Sequence, residues 1–429
     1  MNNEDKSSHI HALTPELIFC ILYEIDSLKA LFYFIIASRS AHKCFKSRRN
    51  PTILRVLQNE IGSVLKDASF LTLLPYANPG SSTESWITYW DRLHNMAAVY
   101  RKILDGDGRY RREIDLTILS SDGLNQLCHT LHDMKFLASI YITEQLRSFG
   151  RNAATALPTT TERLRVLRAF YRRQIVCNAW APTMREPSWM EQDLAAISNT
   201  SEHQGMRLGL FAALQPWELQ QVDHIDNFVS KLCAALCLAQ AESTQPISEA
   251  QFGDLFSHAD RLVQYMREYP IITDTALCTL QVIPRLNKRE GVDSASACNN
   301  LNMRYSLPCL QAAWQVHRAA ILPDPTRDRR GQQQEHDSGE PTVDFVGDAI
   351  NLPPFAWVDA LGGRYVNLFG NALMNCRSTT DDEEMYFKYH SSLELWRTTG
   401  FTLWDRKRVE NMKQLDRLRS LYSGWLVKL

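Results

Sequence analysis

Two histidines and an aspartate at helical spacing are the first candidates for chemistry in this sequence. His129 and His132 lie three residues apart and Asp133 follows, so one helix could present them to a metal ion. No second pair with ligand spacing is evident, and the pattern favours a solvated or capped histidine pair. Cys233 and Cys237 lie one helical turn apart among alanines and leucines, which is typical of buried structural thiols.

Two acidic segments are similar to known metal-binding motifs. Asp381 to Glu384 is similar to the acidic motif of all-helical terpene cyclases, but Met385 stands where that motif needs another carboxylate. Because the run follows Thr380, it indicates a capped helix start instead. Asp105 to Gly108 suggests a calcium loop, yet Arg109 occupies the third ligand position, which favours a tight turn between helices. We therefore predict no metal site.

A row of arginines is the remaining candidate for ligand binding. Arg165, Arg168 and Arg172 recur at helical spacing and could bind phosphate or RNA. We interpret them as a solvated face or as ion pairs within the fold. The sequence contains no phosphate loop, nucleophile elbow, zinc-protease motif or dinucleotide fingerprint. We predict no catalytic residue, no cofactor and no nucleic-acid partner. An unrecognised all-α enzyme remains an alternative, because catalytic groups can come from distant positions.

The composition is that of a folded soluble protein. Of the 429 residues, 45% are hydrophobic and 22% are charged, and the formal net charge is -1. A net charge this close to zero produces no overall electrostatic attraction to nucleic acid or membrane. The 10 cysteines include no CxxC pair, which suggests a reducing compartment. No signal peptide or run of ~20 apolar residues is present, so we expect no membrane partner and a cytoplasmic or nuclear location.

Nearly every readable segment has helical periodicity, and the sequence predicts an all-α fold. Gly62 should end one helix, Pro216 should begin a long one, and a final helix should begin near Asp405. Ser248 and Gln251 form a capping box for one helix that runs to Met266 and ends at Tyr269 and Pro270.

The predicted organisation is a small N-terminal module followed by a large irregular helical domain. A Pro/Gly/Ser stretch over 75–82 is the candidate hinge, and 114–119 is the one weak strand candidate. The predicted parts are a disordered tail at 1–9, a three-helix module at 10–50, a helical body at 51–322, a disordered polar loop at 323–343 and the C-terminal helical part of the body at 344–429.

Residues 10–40 place a large apolar surface on two short helices. Thr14 is a candidate N-cap with Pro15 as the first helical residue, and either Asp26 or Ser27 can cap the second helix. The second helix is apolar on nearly every side, and such a helix must be covered all round. About 40 residues cannot bury that much surface within themselves. We expect the rest of the chain or a partner to cover the remaining apolar surface.

The same stretch carries a family resemblance. The order of residues is Leu13, Pro15, Glu16, Leu17, Ile18, Ile21, Leu22, Leu28, Leu31, Ser38 and Arg39. It resembles the F-box, a small three-helix module. The remainder resembles a group of filamentous-fungal F-box-like proteins of undetermined role, over Ile53 to Gly62, Gln215 to Phe228 and Trp396 to Glu410.

This resemblance implies a bridging role in ubiquitin transfer. An F-box binds the Skp-type adaptor of a cullin-RING ubiquitin ligase, and the larger domain holds a target protein, here unknown. The adaptor-binding residues would be Leu13, Pro15, Glu16, Leu17, Ile18, Ile21, Leu22, Leu28, Leu31 and Ile35. The alternative is a stand-alone helical interaction protein with a degenerate F-box, whose module packs entirely against its own helical body.

Overall fold

The computed structural model describes residues 13–74, 95–104 except 96, 120–148, 157–180, 213–241, 247–280, 345–361 and 400–413. Within these ranges every regular element is a helix and no strand is present, so the all-α prediction is confirmed. The predictions that lie outside the described residues are the tail 1–9, the hinge 75–82, the turn 105–108, the strand 114–119, the polar loop 323–343 and the acidic run 381–384.

Five helices lie before residue 75: α1 Pro15–Glu24, α2 Leu28–Ala37, α3 Arg39–Ser47, α4 Arg49–Ile61 and α5 Val64–Leu73. Later helices include α6 Ser121–Ser148, α7 Thr160–Trp180, α8 Pro216–Ala241, α9 Glu249–Ser257, α10 Ala259–Glu268, α11 Pro270–Thr279, α12 Phe355–Leu361 and α13 Arg406–Lys413, with a 3-10 turn at Phe401–Leu403. Contacts divide the chain into a first unit, Met1–Pro75 with Lys102–His132, and a second unit, Tyr76–Arg101 with Asp133–Leu429. The division falls inside α6.

Local sequence signals set the ends of the first helices. Thr14 is the N-cap of α1 and Pro15 its first residue, as predicted. Of the two alternatives for α2, Ser27 is the cap, because its hydroxyl accepts the Ala30 N–H at 3.2 Å. Gly62 ends α4 with a φ of 52°, a left-handed conformation that glycine adopts without strain.

The second unit has an aromatic core. Helix α8 begins at Pro216, as predicted, and packs against α7 and α11. The ring of Tyr141, from α6, lies edge to face with Phe228 at 5.1 Å and with Phe170 at 6.4 Å, and it stacks on Trp404 at 6.3 Å. Tyr141 and Trp404 are both fully buried, so these rings tie the 400–413 segment to three long helices.

The predicted single helix from Ser248 to Met266 is wrong. The capping box at its start is present, but His258 has an extended backbone (φ -125°, ψ 112°) that separates α9 from α10. A buried side chain of α7 satisfies the backbone groups at this break. The Gln174 amide nitrogen donates to the Ser257 carbonyl at 2.8 Å, and its oxygen accepts the Ala259 N–H at 3.0 Å. Because these bonds replace those of a continuous helix, the break is stable.

Gly400 precedes the 3-10 turn in a left-handed conformation, with φ of 64°. A methyl group at this position would overlap the Tyr141 hydroxyl oxygen. We expect Gly400→Ala to lower the free energy of unfolding by about 2 kcal/mol, from overpacking and backbone strain together. Urea denaturation measures the loss. In a Tyr141→Phe background only the backbone part should remain, about 1 kcal/mol, and equal losses in both backgrounds would contradict the proposed overlap.

Candidate functional site

The structure divides the ten predicted adaptor-binding residues by burial. Three of them are buried: Ile18, Leu22 and Leu31. The exposed ones are Pro15, Glu16, Leu17 and Ile21, and the half-buried ones are Leu13, Leu28 and Ile35. The predicted set therefore mixes side chains that build the module with side chains that a partner can reach.

Five large apolar side chains of α1 and α2 are exposed. Leu17 and Ile21 lie one turn apart on α1, and Phe32, Tyr33 and Ile36 lie on α2. Their exposed fractions run from 38% for Ile21 to 63% for Ile36. We call these five residues the apolar set. The sequence did not single out the three on α2, because that helix is apolar on nearly every side and its periodicity does not reveal which side is covered.

Helix α4 fixes the corner between α1 and α2. The Asn59 amide donates to the carbonyls of Tyr23 at 2.8 Å and Ile25 at 3.0 Å, which closes the end of α1. The neighbouring Glu60 carboxylate accepts the Leu28 N–H at 3.0 Å, which closes the start of α2. Both helices also pack against α3 and α4. Hydrogen bonds and packing within this chain therefore hold the backbone beneath the apolar set in place.

Polar groups border the apolar set. The Lys29 ammonium lies 5.9 Å from the centre of the Tyr33 ring, and the Phe32 and Tyr33 rings lie 5.9 Å apart. At the start of α1, hydrogen bonds from the Glu16 backbone and the Thr14 side chain lower the pKa of the Glu16 carboxyl. Exposed aromatic and aliphatic groups with a charged border are typical of protein-binding surfaces.

The arginine row of α7 lies inside the second unit. Its guanidinium groups form buried ion pairs, so the interpretation of ion pairing within the fold is confirmed. The pairs of the row are Arg165 with Asp405 at 2.9 Å, Arg172 with Glu218 at 2.7 Å and Arg168 with Glu218 at 3.4 Å. Two further buried pairs are Arg173 of α7 with Asp226 at 2.8 Å and Arg408 of α13 with Glu162 at 2.7 Å. We call these nine residues the buried ionic network.

Glu218 illustrates how the network keeps its charges. Burial raises the pKa of this carboxyl, but Arg172, Arg168 and the Gln215 N–H together lower it below its ordinary value. A pKa lower in the folded than in the unfolded chain adds stability above the unfolded value, and that stability is lost as the pH falls through the folded value. At neutral pH the carboxylate is therefore charged and supports the fold rather than proton transfer.

The other candidate residues do not assemble a site in the part of the chain that is described. His129 and His132 are exposed on α6, and Asp133 pairs with Arg267 at 3.2 Å. Among the described residues no three His, Cys, Asp or Glu side chains come together as a metal site would require.

The paired cysteines of α8 are structural. Cys233 and Cys237 are buried, as predicted, and burial raises the pKa of the Cys233 thiol to about 12. A thiol with so high a pKa stays protonated at neutral pH and is a poor nucleophile.

Two further findings concern membrane-spanning helices and similarity to known proteins. No helix within the described ranges combines the length and the apolar character needed to cross a membrane. Comparisons with protein-family models, with curated proteins and with solved structures gave no match to this chain.

Proposed function

We propose that this protein is an F-box-like substrate receptor of a cullin-RING ubiquitin ligase. In this proposal the apolar set binds a Skp-type adaptor, and the larger helical part holds a target protein. The observation that carries the proposal is the exposure of five large apolar side chains on two short helices, within the stretch that resembles an F-box.

The energetics of protein interfaces support this role for the apolar set. Large apolar side chains at the centre of an interface can act as hot spots, whose truncation costs about 2 kcal/mol or more of binding free energy. The helices that carry this surface are held in place by three buried side chains, those of Ile18, Leu22 and Leu31. The Asn59 and Glu60 bonds at the α1–α2 corner reduce the ordering cost of binding.

The second unit suits the proposed task of holding a target protein. Its buried ionic network and aromatic core pack together helices that are far apart in sequence. A receptor of this kind needs no chemistry of its own, because holding a target near the ligase raises the effective concentration of the two reacting proteins.

Replacing Leu17 and Ile21 by aspartate tests the adaptor contact. Since both residues are exposed, the variant should fold, whereas a change at the buried Ile18 would disrupt the module. We expect adaptor binding to weaken about 100-fold or more, because two apolar contacts are replaced by desolvated charges. Binding of the purified full chain to a purified Skp-type adaptor by calorimetry measures the change.

The matched control carries aspartate at Leu157 and Ile271, which are exposed apolar residues outside the apolar set. It should bind as the wild type does. Equal binding of both variants would contradict the proposed contact. Hydrogen exchange with and without adaptor distinguishes this proposal from the alternative of a stand-alone interaction protein. Under that alternative the amides of α1 and α2 gain no protection when adaptor is added.

A further inference from the structure

The charges of the first unit are unevenly distributed. Between Ser27 and Asn59 the sequence has seven Lys or Arg residues and no Asp or Glu, although the whole chain has 47 basic and 48 acidic residues. Protein surfaces usually intersperse both signs, so a stretch of one sign needs an explanation.

Three of these cations form a row on α3. Arg39, Lys43 and Lys46 follow the spacing i, i+4 and i+7, and all three are exposed. Within the described part of the chain none of them pairs with a carboxylate. Lys46 in the last turn favours the helix dipole, but Arg39 in the first turn opposes it, and like charges at this spacing repel. Helix stability therefore explains Lys46 alone and not the whole row. We call these three residues the basic row.

The basic row begins where the apolar set ends. Ile36 is exposed near the end of α2, and Arg39 is the first residue of α3. Ser38 between the two helices is buried, and its hydroxyl accepts the Ala41 N–H at 3.3 Å, which fixes the corner. A molecule that covers Ile36 therefore comes close to Arg39.

Helix α1 carries the opposite charge. Glu16 and Glu24 are exposed on it, Glu24 follows Ile21 by three residues, and Asp26 is exposed just after the helix. A uniformly anionic surface, such as an acidic membrane or a nucleic acid, would be attracted by α3 and repelled by these carboxylates. A protein face can carry different charges at different places and match both helices.

We propose that the protein partner covering the apolar set presents acidic side chains to the basic row. This inference rests on the proposed function and names the chemistry of the partner's docking face. The charges act mainly on encounter, because exposed opposite charges steer diffusing proteins and add less to the lifetime of the complex. The basic row then sets the rate of association, and the apolar set holds the complex together.

Association kinetics of the full chain with a purified Skp-type adaptor, at several salt concentrations, test the inference. In the variant Arg39→Glu/Lys43→Glu/Lys46→Glu the association rate constant should fall about 10-fold or more at low salt, with the difference fading as salt increases. The dissociation rate constant should change by about 2-fold or less, since the apolar contacts remain. Circular dichroism verifies that the variant is folded.

The control has the same change of net charge at other exposed positions, Arg163→Glu/Arg261→Glu/Lys407→Glu. Its association rate constant should stay within about 2-fold of the wild type, because local charges dominate steering. If the adaptor binds and both variants associate equally fast, the inference fails while the proposed function stands. If the adaptor does not bind the wild type, both fail. Binding to phosphatidylserine vesicles that depends on the basic row would overturn the choice of a protein partner.

Discussion

Replacing Glu162 with glutamine should lower the free energy of unfolding by about 3–5 kcal/mol, the largest loss that we expect from a single change in the second unit. The reason lies in the number of donors that point at one carboxylate. The Glu162 side chain is fully buried and pairs with the buried Arg408. Glutamine has nearly the same shape, so the change removes charge and acceptor capacity with little change in packing.

Each carboxylate oxygen of Glu162 accepts two hydrogen bonds. One accepts from the Arg408 Nε at 2.7 Å and from the Asp405 N–H at 3.1 Å. The other accepts from Arg408 Nη2 at 2.9 Å and from the Thr159 N–H at 3.0 Å. The Thr159 hydroxyl accepts the Glu162 N–H at 3.1 Å in return, which completes a capping box at the start of α7.

Glutamine cannot satisfy these donors. Its amide nitrogen would face N–H groups where an oxygen now accepts, and the Arg408 guanidinium would stay buried without its counter-charge. The same change would weaken the cap of α7 and its link to the 405–408 segment, two features that lie more than 240 residues apart in sequence.

Urea denaturation followed by circular dichroism measures this loss. The control is Glu410→Gln, since Glu410 and Arg406 form an exposed pair at 2.8 Å on α13. Exposed pairs contribute about 0.5 kcal/mol or less, so the control should unfold almost as the wild type does. A loss below about 1 kcal/mol for Glu162→Gln would mean that the carboxylate is not needed to hold Arg408 in place.

The features that the sequence predicted correctly are those written in adjacent residues. Thr14 with Pro15 at the start of α1, Gly62 at the end of α4, and Ser248 with Gln251 at the start of α9 are all local signals. Each acts within one helical turn, so no knowledge of the rest of the fold is needed to recognise it.

The features that sequence reasoning missed depend on partners distant in the chain. The break between α9 and α10 is satisfied by Gln174, which precedes Ala259 by 85 residues. The spacing of Arg165 and Arg172 predicts a common face but not its burial, because their partners are Asp405 and Glu218. Periodicity identifies a face, and only tertiary contacts determine what that face meets.

The candidate site shows the same division on a smaller scale. The motif placed the proposed adaptor-binding stretch at α1 and α2 but gave every motif residue the same role. Burial separates Leu17 and Ile21 from Ile18 and Leu22, although the four lie within two turns of one helix. It also adds the exposed apolar residues of α2, which the motif does not contain.

The pair Leu22→Ala and Leu17→Ala tests whether this division by burial is functional. Leu22 is fully buried, so its truncation should leave a cavity and lower the free energy of unfolding by about 2–5 kcal/mol. Leu17 is 51% exposed, so the same truncation there should change the free energy of unfolding by about 0.5 kcal/mol or less. Hydrogen exchange of the amides in α1 to α5 measures both changes, since it reports on the stability of this part of the chain directly.

Binding to the Skp-type adaptor should rank the two variants in the opposite order. Leu17→Ala should weaken binding about 10-fold or more because it removes an interface contact, while the folded fraction of Leu22→Ala should bind nearly as the wild type does. The decisive result is the stability of Leu17→Ala. If it loses as much stability as Leu22→Ala, the Leu17 side chain is covered within the chain. The apolar set would then be part of the core, with no surface left for an adaptor.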